Sequence, residues 1–175
     1  MVVIVMGVTG AGKTEIGRRL ADTLGWRFVE GDDFHSPANR TKLAHGIPLD
    51  DADRAPWLAA LRAEIERALG ADENAVVTSS ALKDAYRRKL VVDPERVKLV
   101  HLTGPKELLE ERLRHRRGHF ADPRILASQL ATLEPPKDAI TVDVTPPPDE
   151  IVARIQRELG SFPPLPLGRG RAKRG

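Results

Sequence analysis

Cysteine is absent from this 175-residue chain, and aromatic residues make up only 4% of it. Without cysteine there is no disulfide framework, no cysteine-based zinc site and no thiol nucleophile. So few aromatics supply no stacking surface of the kind that binders of single-stranded nucleic acid use. No apolar run approaches the length that crosses a bilayer, and no basic segment followed by an apolar stretch opens the chain. The expectation is a soluble, cytoplasmic protein with no membrane partner. The formal net charge of +3 is unevenly placed: Arg169, Arg171, Lys173 and Arg174 lie within residues 168–175, and removing those four charges leaves −1 for the rest. The body is near neutral, so the basic end reads as a solvated tail and no specific nucleic-acid partner is expected. There is no internal repeat, and the length suits one domain with a proper core.

What is present begins with Gly7-Val8-Thr9-Gly10-Ala11-Gly12-Lys13-Thr14, which follows the apolar run Val2-Val3-Ile4-Val5-Met6 and leads into an amphipathic stretch to Leu24. A G-x-x-x-x-G-K-[ST] motif between a strand and a helix is a phosphate-binding loop. Its glycines let the backbone approach a phosphate, its successive N–H groups and the helix N-terminus cradle the anion, Lys13 meets the β- and γ-phosphates, and Thr14 offers a hydroxyl to Mg²⁺. Further apolar runs at residues 27–29, 75–78, 97–102 and 140–144 alternate with helical patterns. This predicts a five-stranded parallel sheet with helices on both faces, a three-layer α/β fold of the nucleoside-monophosphate-kinase type with a small lid. Ser36-Pro37 reads as a helix start, and Asp53 with Pro56 as the capped start of a longer helix that Gly70 stops. The kinase domain is expected to span residues 1–160, with a lid near 115–125 and a Pro-rich, basic, disordered tail over 161–175.

Ligands of such sheets lie beyond the carboxyl ends of the strands. After the second strand, Asp32 is the candidate base for a hydroxyl acceptor or a water-mediated Mg²⁺ contact, with Asp33 the weaker candidate. His35 follows, and could equally be a cap neighbour or a packed histidine. Arg54 reads equally as surface charge or as a bidentate clamp for a substrate carboxylate. Ser79 and Ser80 precede Lys83 and Arg87, which are four apart and so expected on one helix face, either as a polyol or phosphate contact or as a solvated basic face. Arg112, Arg114, Arg116 and Arg117 precede Gly118, a pattern that suits a lid closing over ATP as well as a solvated helix end. Residue types alone leave open another small-metabolite kinase, acting on shikimate or a nucleoside monophosphate, and a regulatory protein that binds ATP as a signal.

Taken together these segments resemble the gluconate kinases. The carrying residues are the phosphate loop, Gly31-Asp32 with His35, Asn39 with Lys42, Gly46-Ile47-Pro48-Leu49, Asp51, Asp53-Arg54 with Pro56-Trp57-Leu58, Ser80-Ala81-Leu82-Lys83 with Tyr86-Arg87, Arg116 with Gly118-His119-Phe120, and Ser128-Gln129 with Leu133-Glu134. The resemblance implies phosphorylation of D-gluconate at its 6-hydroxyl by ATP with Mg²⁺, and a homodimer. It implies a catalytic set of Lys13, Asp32 and Arg116 and a nucleotide site at residues 7–14 (Gly7, Val8, Thr9, Gly10, Ala11, Gly12, Lys13 and Thr14) with Arg112 and Arg116. Acceptor or phosphate contacts are implied for Asp32, His35, Arg54, Lys83, Arg87, His119 and Gln129. The chain departs from the family pattern at Ser79, where cysteine is usual, and at Leu43 and Leu130, where methionine and an aromatic are common. Ser79 is expected to be a tolerated change, and the other two positions read as packing.

Overall fold

The computed structural model of the chain describes residues 1–116 and 123–160. The expected lid falls largely, and the expected tail wholly, on residues outside that set. Five parallel strands form one sheet: β1 (Val2–Met6), β2 (Arg27–Val29), β3 (Ala75–Ser79), β4 (Val97–Thr103) and β5 (Ile140–Asp143). Each lies within a residue of the run expected from the sequence. Their order is β2-β3-β1-β4-β5, with Val2 of the central strand opposite both Ala75 and Val97.

Every residue of β1 is buried, which is why the strand reads as an unbroken apolar run. Its period of two divides the core. Val3 and Val5 pack with Ile16 and Leu20 of α1 (Lys13–Leu24), Leu109 and Leu113 of α5 (Lys106–His115), Leu126 of α6 (Pro123–Thr132) and Ile151 and Ile155 of α7 (Pro148–Gly160). Val2, Ile4 and Met6 pack on the opposite face with Trp57, Leu58, Leu61 and Ile65 of α3 (Asp51–Gly70) and Tyr86 and Leu90 of α4 (Asp84–Leu90). Helices therefore cover both faces, as the three-layer reading requires.

Local chemistry fixes the helix starts nearest the site. Ser36 caps α2 (Pro37–Ala44) by accepting from the Asn39 N–H at 3.1 Å, with Pro37 at the first helical position, as its sequence predicts. The start of α3 differs from expectation. Its N-cap is Asp50, which accepts the Asp53 N–H at 2.7 Å, while the Asp53 carboxylate accepts the Asp50 N–H at 3.1 Å. This capping box satisfies two helix-end donors at once, so the helix begins three residues earlier than a cap at Asp53 would allow. Such caps contribute about 1 kcal/mol.

Candidate active site

The loops after β1, β2 and β3 open into one cleft of about 880 Å³. That is the upper end of the ~300–1,000 Å³ usual for small-molecule sites. One wall is the phosphate loop. Its shape depends on Gly10, whose φ of +82° and 2.9 Å approach of any added Cβ to the Leu109 carbonyl oxygen both exclude a side chain. The loop is thus packed against α5. From the far side, the Gln129 side-chain oxygen on α6 accepts the Thr9 N–H at 2.6 Å. The Lys13 ammonium donates to the Val8 carbonyl at 3.1 Å. Burial pushes its pKa below the ordinary lysine value; Asp32 and Glu30 pull it up, and Arg116 adds to the depression. A loop of aimed amides around a desolvated ammonium is a strong site for a phosphate chain.

Glu30, immediately after β2, was not singled out by its sequence. It accepts the Thr14 hydroxyl at 2.6 Å and also accepts from the Thr78 hydroxyl, while Thr78 accepts the Gly31 N–H at 3.0 Å. Gly31 is needed here, since a Cβ would lie 1.9 Å from the Thr78 carbonyl oxygen. That close approach brings the turn formed by Gly31–Phe34 against β3 and sets Asp32 over the cleft. Thr14 and Glu30 together present two hard oxygen donors beside Lys13. The set fits Mg²⁺, which takes one or two protein oxygens and completes its shell with phosphates and water.

The opposite wall is built from side chains. The exposed Asp32 carboxylate lies 3.9 Å from His35 Nε2. The His35 ring stacks on Trp57 at 4.5 Å between centroids and 16° between planes. Trp57 in turn donates its indole N–H to the Gly31 carbonyl at 2.8 Å. Asn39 donates to the Asp53 carbonyl at 2.8 Å and sits 3.4 Å from His35 Nδ1, which leaves Nε2 to face Asp32. Burial lowers the His35 pKa; Asp32 opposes that shift, and Arg40 and Arg54 reinforce it. Arg54, in the first turns of α3, reaches the cleft and donates to the Tyr86 hydroxyl at 3.2 Å.

Asp32, His35, Arg54, Arg112, Arg116 and Gln129 therefore line the same cleft as the phosphate loop. Arg112 also donates to the Val144 carbonyl at 2.7 Å, which anchors it at the α5 end. Asp33 is not among the lining residues; its carbonyl accepts from Arg40 at 2.8 Å. Lys83 and Arg87 are not brought to the cleft, nor do they share a helix face. Lys83 is the extended N-cap of α4 and turns outward to Asp51 at 3.0 Å. Arg87 is only 5% exposed and donates to the Ala81 and Leu82 carbonyls at 3.0 Å each. Ala81 has a φ of 41°, a left-handed conformation unusual for a residue with a side chain. The buried guanidinium thus braces a strained turn whose neighbour, Ser80, faces the cleft. His119 lies outside the described residues. Ser79 is buried, and its hydroxyl has no hydrogen-bond partner among the described residues.

A family model described as AAA domain matches residues 2–136. The gluconokinase of Gluconobacter oxydans (strain 621H) is 45% identical over 155 residues, which cover 89% of this chain and 82% of that protein. The chain belongs to the gluconokinase family. Among solved structures, a gluconokinase from Sinorhizobium meliloti 1021 superposes with a TM-score of 0.80 at 44% identity, covering 90% of each chain. An unliganded sugar kinase from Janibacter sp. HTCC2649 gives 0.84 at 42% identity, covering 91% of this chain and 94% of the other. Family membership fits the cleft, which the phosphate loop lines together with Asp32, Arg54, Arg112 and Arg116.

Proposed function

We infer that the chain is an ATP-dependent gluconokinase, transferring the γ-phosphoryl of ATP to the 6-hydroxyl of D-gluconate to give 6-phospho-D-gluconate and ADP. The observation that carries this reading is a single cleft, in a member of the gluconokinase family, with the phosphate loop on one wall and Asp32, His35 and Arg54 on the other. The amides of residues 7–14 hold the phosphate chain. Lys13 and Arg116 neutralise the charge that grows on the transferred group and the leaving ADP oxygen. Arg112 borders the nucleotide. Asp32 orients the acceptor hydroxyl and takes its proton as the new O–P bond forms and the bond to ADP breaks. Mg²⁺ would be held by the Thr14 hydroxyl, with Glu30 and Asp32 near enough to act directly or through water, and would supply positive charge beside the phosphate chain.

Arg54 meets the carboxylate of the sugar acid, and His35 and Gln129 meet its hydroxyls or the γ-phosphate. Lys83 and Arg87 act from behind the wall, and His119 belongs to the segment that follows Arg116. The remaining parts of the proposal are a catalytic domain over residues 1–160, a homodimer and residence in the cytoplasm. The homodimer rests on the family resemblance, and the domain bounds and the cytoplasm on the pattern of the sequence; among the described residues no helix is long and apolar enough to cross a membrane.

A coupled assay over gluconate, shikimate and nucleoside monophosphates, with the product identified by ³¹P NMR, tests the reading. Gluconate should lead in kcat/KM by orders of magnitude. Binding of ATP without turnover of any sugar acid would contradict it.

A further inference from the structure

Tyr86 does not line the cleft, is 5% exposed, and still carries three charged neighbours. Its hydroxyl donates to the Asp51 carboxylate and accepts from Arg54 at 3.2 Å. The Arg54 guanidinium and the Lys83 ammonium each sit 5.5 Å from its ring centroid. Lys83 closes the circle by donating to Asp51 at 3.0 Å.

The proton inventory makes this arrangement directional. A phenol has one proton to give. With that proton committed to Asp51, the lone pairs of the phenol oxygen face Arg54 and accept one of its N–H groups. Asp51 meanwhile neutralises Lys83, so Arg54 is the cation of this cluster left to serve a ligand. Left alone, Arg54 would have reason to leave. It sits near the N-terminus of α3, where the helix dipole disfavours a cation, and its long side chain has many rotamers. Among the described residues, Tyr86 supplies both the hydroxyl that the Arg54 guanidinium bonds and the ring it lies over, and the Asp51 carboxylate adds a longer-range attraction.

We propose that Tyr86, oriented by Asp51, is the positioning residue that holds the Arg54 guanidinium at the acceptor end of the cleft, ready for the carboxylate of a sugar acid. The proposal deepens the gluconokinase reading and rests on it. Turnover of gluconate by the wild type is therefore measured first; its absence would overturn both.

Tyr86→Phe keeps the ring and removes only the oxygen. It should raise KM for gluconate about tenfold, the scale of one hydrogen bond to a charged group. kcat should stay within about threefold and KM for ATP should be unchanged, a split that general loss of structure does not produce. Asp51→Ala, at an exposed position, should raise the gluconate KM by a smaller factor. The decisive comparison is a double-mutant cycle. In an Arg54→Ala background, Tyr86→Phe should cost less than about twofold, because nothing remains to be positioned. An equal cost in both backgrounds, or an unchanged gluconate KM in the single variants of a gluconate-active enzyme, would overturn this assignment and leave the function standing.

Discussion

The two walls of the cleft are made of different material. The nucleotide wall is largely main chain: one contiguous loop whose amides and glycine geometry make the site, with Lys13 as its principal charge. The acceptor wall is side chains drawn from separate segments, each held by a neighbour. His35 is held by Trp57 and Asn39, Asn39 in turn bonds to Asp53, Lys42 is paired with Asp53 at 2.8 Å, and Arg54 is held by Tyr86. On the proposed function, the first wall recognises what all nucleoside triphosphates share, and the second recognises what distinguishes one acceptor from another through several coordinated residues. This difference explains how a common loop supports many substrates while acceptor choice depends on distant parts of the chain.

The largest effects should come from striking each wall at its centre. Asp32→Asn should lower kcat by about 10³ with ATP binding retained, the middle of the range for a general base. Lys13→Ala should cost at least about 10² in kcat through lost charge neutralisation. An active Asn variant, or near-normal turnover without Lys13, would break the division of labour.

Arg87→Met tests whether a basic residue behind the wall differs from one on it. It strands the Ala81 and Leu82 carbonyls and releases a strained turn, so stability should fall by about 2–4 kcal/mol, read by urea unfolding. KM for gluconate in the folded fraction should move little.

The walls should also titrate at opposite ends of the pH scale. Burial holds His35 on the acceptor wall, and His101 on β4, below the ordinary value of 6.5. The unfolded chain then binds more protons as pH falls below about 6.5, so their contribution is present above that pH and lost on acidification. Calorimetry from pH 7.5 to 5 should show a falling Tm, with a shallower fall in His101→Asn. For Lys13, held below its ordinary 10.5, the same linkage makes the ligand-free protein gain stability as pH rises towards that value.

The smallest expected effect is Ser79→Cys. A buried hydroxyl with no partner among the described residues gives way to a weakly polar thiol, so stability should rise by about 1 kcal/mol with kinetics unchanged.

Much of the nucleotide wall was legible because its information is local: residues 7–14 carry motif, strand and helix context together. The strands were legible because a buried parallel sheet writes itself as apolar runs. Asp32 was legible from its place after β2, whereas residue type left His35 and Arg54 open between structural and ligand roles, and only the family resemblance implied that they join it. Other features depended on non-local contacts. Glu30 follows β2, and only its bonds to Thr14 and Thr78 mark it out. Both Asp50 and Asp53 suit a cap, and their reciprocal bonds decide the order. The spacing of four suggests one helix face for Lys83 and Arg87, but Lys83 is the extended residue ahead of α4, while Arg87 turns inward to the Ala81 and Leu82 carbonyls. Trp57 and Tyr86 read as ordinary core residues until their polar atoms are seen to support Gly31 and Arg54.

A crystal structure with a non-hydrolysable ATP analogue and gluconate bound together tests the central claim most directly. The account predicts both ligands in the one cleft, the terminal phosphate between Lys13 and Asp32, the 6-hydroxyl in line with it, and the carboxylate on Arg54. Gluconate bound in a separate pocket, or with its carboxylate rather than its 6-hydroxyl at Asp32, would contradict it.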